Sequence, residues 1–234
     1  MADTLAVMQV DIIAGPAFAL GKVTLPPGGG VRVQSGGMSI MQGDVQIATS
    51  TQGGFMSGLK RSLGGASFFV NDFTSGSGGM VGVGAELPGD LSLINLDGRT
   101  TLLVQSGCWM ASDPQIDVDA SWGGAKGFFS GAGLVLLRCT GAGDLLVSTY
   151  GAIEALVLAP GEKLTLDTGN VVAFDDTVQY SVHKAGGSWK TTLLGGEGLV
   201  TEFVGPGRVW WQTRSTSDLV RWMEGHLPRQ QSTN

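Results

Sequence analysis

Asp117 and Asp119 are the pair in this sequence best spaced for chemistry. On a β-strand, residues two apart project from one face, so the two carboxylates could share acid/base work or hold a hard cation. Asp113 stands just upstream, and Asp175 with Asp176 forms a second acidic pair. The plainer expectation for all five is a solvated strand or turn. The two histidines, His183 and His226, have no ligating neighbour at a recognised zinc spacing. The two cysteines, Cys108 and Cys139, lie in apolar strand-like runs and read as buried thiols in a reducing compartment, with a disulfide as the alternative. No phosphate-binding loop, dinucleotide fingerprint or nucleophile elbow occurs. The expectation is therefore a protein that is not an enzyme and has no cofactor and no metal.

The elements that would position these residues are β-strands. Of 234 residues, 39 are glycine, against roughly 7% in an average protein. They do not recur every third position, which excludes collagen. Hydrophobic residues at 42% and charged residues at only 15% exclude a disordered chain and supply a core. Apolar runs are short and bounded by Gly, Pro, Asn or Asp. Several alternate, as in Lys163-Leu164-Thr165-Leu166-Asp167 and Val178-Gln179-Tyr180-Ser181-Val182. Turn signals recur roughly every eight to twelve residues, which suggests a sandwich or barrel.

The pattern repeats. Leu63-Gly64-Gly65-Ala66-Ser67-Phe68-Phe69 returns as Phe129-Ser130-Gly131-Ala132-Gly133-Leu134-Val135 and as Leu194-Gly195-Gly196-Glu197-Gly198-Leu199-Val200. Each is followed by Gly-x-Gly, at Gly76–Gly78, Gly141–Gly143 and Gly205–Gly207. Upstream, a strand end with a polar-small-Gly turn appears as Val33-Gln34-Ser35-Gly36, Val104-Gln105-Ser106-Gly107 and Leu166-Asp167-Thr168-Gly169. Apolar positions resume at Val45, Ile116 and Val178. The reading is an all-β fold of three tandem β-sandwich repeats around a pseudo-threefold axis, each unit burying its apolar face against the next. Residues 1–214 then form a single β domain, with units at about 22–90, 91–150 and 151–214. Residues 215–234 form a C-terminal helix and tail. Ser215 to Asp218 opens the helix; Leu219, Val220, Trp222, Met223 and Leu227 give it an apolar face, and Pro228 ends it. That helix is expected to dock on the sandwich, with partner binding as the alternative.

Net charge is −6 and the pI is about 4.8, which argues against a nucleic-acid partner. The start, Met1-Ala2-Asp3, has no positively charged leader, and no apolar run approaches the roughly 20 residues that span a bilayer. A cytoplasmic location is expected. Three lysines fall at matching places in the units: Lys60, Lys126 and Lys190. Each follows an aromatic residue: Phe55, Trp122 and Trp189. On one rim, three cations and three aromatics would suit an anionic membrane surface. The plainer expectation is solvated lysines and packed aromatics.

Further runs carry a family likeness. They include Gly58-Leu59-Lys60-Arg61, Pro88-Gly89-Asp90, Tyr150-Gly151-Ala152-Ile153 and Gly161 to Gly169. The closing run Gly205-Pro206-Gly207-Arg208-Val209-Trp210-Trp211-Gln212-Thr213-Arg214 belongs with them. Together, over about residues 35–214, the chain resembles the altered-inheritance-of-mitochondria family of β proteins in its bacterial form. The resemblance implies three repeats like the tryptophan RNA-binding attenuator protein fold and no established enzymatic activity. Mitochondrial relatives are associated with inner-membrane organisation. The function expected is a non-catalytic β scaffold or binding protein. It would be homo-oligomeric, with protein partners or peripheral contact with an anionic membrane. The alternative is a small-ligand binding protein with pockets between repeats.

Overall fold

The structure, a computed structural model, describes residues 8–49, 70–119, 128–129, 134–184 and 198–227. It is all-β with one short C-terminal helix. Burial alternates along the strands as a half-buried sheet requires: in β2 (Leu20–Leu25), Val23 and Leu25 point inward and Thr24 outward. A preceding strand, β1 (Gln9–Ile13), pairs antiparallel with β2.

Three successive stretches carry the same order of pairings. In the first, β2 and the front of β4 (Met38–Thr49) pair with the rear of β5 (Val70–Val83). Strand β3 (Gly30–Gln34) and the rear of β4 pair with the front of β5. In the second, β6 (Leu91–Asp97) and β8 (Trp109–Ser112) pair with β12 (Ala142–Ser148). Strands β7 (Leu102–Gln105) and β9 (Asp117–Asp119) pair with β11 (Leu134–Thr140), as does the short β10 (Phe128–Phe129). In the third, β13 (Ile153–Leu158) and β15 (Val171–Asp175) pair with β18 (Gly207–Gln212). Strands β14 (Lys163–Asp167) and β16 (Gln179–Lys184) pair with β17 (Leu199–Val204). At matching places the register shifts between Met38 and Ile40, opposite Trp109 and Ala111, and between Val171 and Ala173; β4 has a further shift between Gly43 and Val45. Each of the three matching shifts admits one extra residue and sharpens the local twist.

Two joints link the stretches. β3 pairs with β8 through Val33–Ala111 and Arg32–Ser112, and β7 pairs with β15 through Leu102–Asp175, Leu103–Phe174 and Val104–Ala173. These joints merge most strands into an eight-stranded and a seven-stranded sheet, leaving β14, β17 and β16 as a third. Closure around a threefold axis would also join β14 to β4. Among the described residues β14 pairs only with β17 and β4 only with β5.

The core lies in three clusters. Trp109, Leu137, Leu145 and Val172 centre the largest. Val23, Val33 and Phe73 of the first stretch centre another, joined by Leu146 of β12. Phe174 and Phe203 centre the last, with ring centroids 5.1 Å apart in an edge-to-face contact. The repeated positions Ile116 and Val178 are buried, and Val45 packs against the first cluster.

The helix α1 (Thr216–His226) begins where the sequence places it, with the Ser215 hydroxyl accepting the Asp218 N–H at 3.3 Å. Among the described residues the expected docking on the sandwich is not seen. No residue of α1 is buried, and Val220, Trp222 and Met223 are exposed. Only the polar N-cap Ser215 is buried, beside Gly169, so the sheet holds the start of the helix and leaves its apolar side to solvent.

Candidate functional site

The polar-small-Gly turns converge where the stretches meet. The turn after β3 closes with Gly37 N–H donating to Gln34 O at 3.0 Å, and the turn after β7 with Cys108 N–H donating to Gln105 O at 2.8 Å. After β14 the chain makes a 3₁₀ turn over Thr168–Asn170, where Asp167 accepts the Gly169 N–H at 2.8 Å. Gln212, at the end of β18, ties this third turn to Tyr150, just past β12. Its amide donates to Gly169 O at 2.9 Å, and its side-chain carbonyl accepts the Tyr150 N–H at 2.9 Å. Its backbone carbonyl accepts from the Asn170 amide at 2.6 Å.

Beside Gln212 lies a cavity of about 230 Å³, bounded among others by Gln34, Gly37, Gln105, Cys108 and Tyr150. That is smaller than the roughly 300–1,000 Å³ usual for organic ligands. Within it the Cys108 thiol lies 3.0 Å from Gln105 Oε1 and 4.0 Å from Gln212 Oε1. Both cysteines are free and buried. Burial pushes the Cys108 thiol up to about 12, and burial followed by the charge of Asp117 pushes Cys139 up as well. At neutral pH both are thiols, not the thiolates that act as nucleophiles or metal ligands.

The acidic residues divide in a way the sequence does not show. Asp117 and Asp119 lie on β9 as its exposed and half-buried positions, flanking the inward Val118. Asp113 and Asp175 are buried, against the expectation of solvated turns. They make matching bonds: Asp113 accepts the backbone N–H of Asp144 at 2.7 Å, and Asp175 that of Arg208 at 2.9 Å. Gly143 and Gly207, just before the donors, both have left-handed φ, +144° and +146°. A Cβ on Gly143 would stand 2.7 Å from Asp113 Oδ2, so a side chain there would strain the backbone and strike the carboxylate.

The partners then differ. Arg208 grips Asp175 with two further bonds, Nε–Oδ2 at 2.9 Å and Nη2–Oδ1 at 3.0 Å, and lies 4.9 Å from the Trp210 ring. Asp113 instead faces the buried Asp144, whose carboxylate accepts from the Asn95 amide at 2.8 Å. Burial, with Asp144's charge a lesser cause, holds the Asp113 carboxyl above its usual 3.8, while the N–H groups of Asp144 and Met8 pull the other way. A carboxyl raised in the folded state gives stability below its ordinary value and loses it as pH climbs through the raised one. Asp144→Asn keeps the acceptor for Asn95 and removes the repulsion. Its urea midpoint should exceed wild type at pH 7, and the gain should shrink as the buffer is taken below pH 4.

The three lysines Lys60, Lys126 and Lys190 and the aromatics Phe55, Trp122 and Trp189 lie outside the described residues. Of the histidines, His183 is exposed on β16 and His226 stacks on Trp222 with centroids 4.4 Å apart. Among the described residues no group of three metal-ligating side chains comes together, and no helix is long and apolar enough to cross a membrane. The residues that sequence reasoning missed are Asp144 and Gln212; each is polar and buried because of a partner some thirty or more positions away.

These features define an all-β protein of joined antiparallel sheets with a polar junction between them. Residues 10–214 match the family described as Mitochondrial biogenesis AIM24, and the chain belongs to that family. It is 26% identical to an uncharacterised protein of Streptococcus pyogenes serotype M6, over 94% of this chain and 92% of that one. A crystal structure of a Streptococcus pyogenes protein is similar in fold, with a TM-score of 0.75 at 24% identity, covering 94% of this chain and all of the other.

Proposed function

We propose that the protein is a non-catalytic β scaffold that works through its apolar surface. The observation that carries this reading is the exposure of large apolar side chains on ordered elements. Val157 on β13 is 76% exposed, Trp222 on α1 61%, and Leu227 just beyond it 65%. Leu156 on β13 and Met38, Ile40, Met41 and Ile47 on β4 are exposed too. A contiguous exposed apolar patch marks a surface that meets partners, and Val220, Met223 and Leu227, at i, i+3 and i+7, share one exposed side of α1 and its C-cap. The inert thiols and the small cavity favour this reading over catalysis or capture of an organic ligand.

The test is affinity purification at native expression level, comparing wild type with a Val157→Lys/Trp222→Ala/Leu227→Ala variant. Proteins recovered with wild type and lost from the variant support the scaffold. Equal recovery by both, or a small molecule retained in the cavity with no protein partner, overturns it. The membrane role is tested by sedimentation with anionic vesicles. Wild type should pellet and the Lys60→Ala/Lys126→Ala/Lys190→Ala variant should stay in solution. Equal behaviour of the two removes that role.

A further inference from the structure

We infer that the free edge of β4 in one copy pairs with the free edge of β14 in a second copy, so that the chain assembles head to tail. The argument starts from the joints inside the chain. In each, a strand preceding the polar-small-Gly turn of one stretch pairs with the strand following that turn in the next: β3 with β8, then β7 with β15. The same strand order leaves one acceptor edge at the start of the chain, β4, and one donor edge at its end, β14. Among the described residues neither has a second partner.

Burial follows the joints. Every residue of β8 and of β15 is buried, whereas Met38 to Gln42 on β4 are all exposed. The corresponding residues can be matched through the register shifts. Ala111 and Ala173, each just past its shift, are fully buried under the neighbouring strand, and their counterpart Ile40 is 47% exposed. Met41 beside it is 39% exposed and Met38 37%. On the other edge, Val33 and Val104 are fully buried, while their counterpart Leu166 is half-buried. Apolar residues therefore line an edge whose N–H and C=O groups have no strand partner among the described residues, which is a template for another strand.

The internal joints also fix the register. Val33–Ala111 and Val104–Ala173 translate to Leu166 opposite Ile40, and Arg32–Ser112 to Thr165 opposite Met41. The groups face the right way. Gly205 N–H donates to Glu162 O at 2.9 Å, so even-numbered residues of β14 address β17 and the odd-numbered Thr165 turns its N–H and C=O outward. By the same count on the other edge, Asp113 N–H donates to Asp144 O, so Ser112, the counterpart of Met41, faces away from β12. The occupant is a second copy because the two free edges are the two halves of one joint. A contact between different surfaces propagates into a ring or an open array rather than stopping at a twofold pair.

The proposal names one partner for the scaffold read above, and it fails separately: a monomer would remove the joint while leaving the partner-recovery test untouched. The experiment is mass measurement by light scattering on wild type, on an Ile40→Lys/Met41→Lys variant that blocks β4, and on a Thr165→Pro variant that blocks β14. Circular dichroism and the melting midpoint establish that each variant is folded. Should Thr165→Pro unfold, Thr165→Lys replaces it. Wild type is expected above 24.1 kDa, and each blocked variant at the mass of one chain. Mixed one to one, the variants should form a species of twice that mass, because each keeps the edge the other has lost. Wild type at the mass of one chain throughout the micromolar range, either variant keeping the wild-type mass, or a mixture that stays apart would each overturn the joint.

Discussion

Gly89→Ala is expected to cost about 3 kcal/mol or more, a loss of roughly 6–12 °C in melting midpoint for a domain of this size. Gly89 makes a parallel bridge to Gly151 where the first stretch passes into the second. Its carbonyl accepts the Ala19 N–H at 3.0 Å, and Gly151 N–H donates to Pro88 O at 3.0 Å. A Cβ at residue 89 would overlap the Thr149 carbonyl oxygen. That oxygen is backbone, held by its own sheet, so it cannot swing aside as a long side chain would. The neighbouring Asp90–Thr149 and Asp90–Gly151 hydrogen bonds, 3.0 and 3.1 Å, would have to lengthen together. Gly225→Ala, inside α1 with open space around the new Cβ, is the control. It should gain up to about 1 kcal/mol of helix stability or leave the melt unchanged. Equal midpoints for Gly89→Ala and wild type would show that the two strands can part without loss.

Gln212→Leu is expected to cost about 3 kcal/mol, because it leaves the Tyr150 N–H and the Gly169 carbonyl without their partner, and an unpaired buried polar group costs roughly 1–3 kcal/mol. Gln212 is 4% exposed, so water cannot simply replace it. Gln212→Glu separates this explanation from loss of packing. The protonated glutamic acid has the glutamine shape and can donate to Gly169 O, whereas the carboxylate sets a negative charge against that oxygen. Burial and the facing carbonyl raise the carboxyl above its ordinary value, so the variant should approach wild-type stability near pH 4 and lose it as pH rises toward 8. Urea midpoints across that range provide the measurement. A flat difference from wild type would place the effect in packing instead.

Both predictions rest on residues that the sequence marks without explaining. Gly89 stands in a recognisable Pro-Gly-Asp run, and Gln212 closes the Trp-Trp-Gln run of the family likeness. Nothing in either run shows that Gly89 lies against Thr149 or that Gln212 reaches Gly169. The same holds for the carboxylates. Asp113 and Asp175 look like turn residues in the sequence, but each is folded under the strand that supplies its N–H donor. The apolar face of α1 was legible, and so was its cap. Its exposure was not, because docking depends on the surface offered by the rest of the chain.

The sequence by itself determined the local conformation. Alternation sets Lys163–Asp167 as a strand and Val178–Val182 as another, which the structure runs from Gln179 to Lys184; glycine pairs set the turns, and Ser215 sets the start of the helix. These follow from a two-residue side-chain period and from capping chemistry, both of which act over a few residues. Only the tertiary structure decided which strand lies beside which, and hence that β8 and β15 are buried while Met38 to Gln42 of β4 are exposed. Edge pairing joins residues as far apart as Val33 and Ala111, and it is selected by register and surface match across the whole fold.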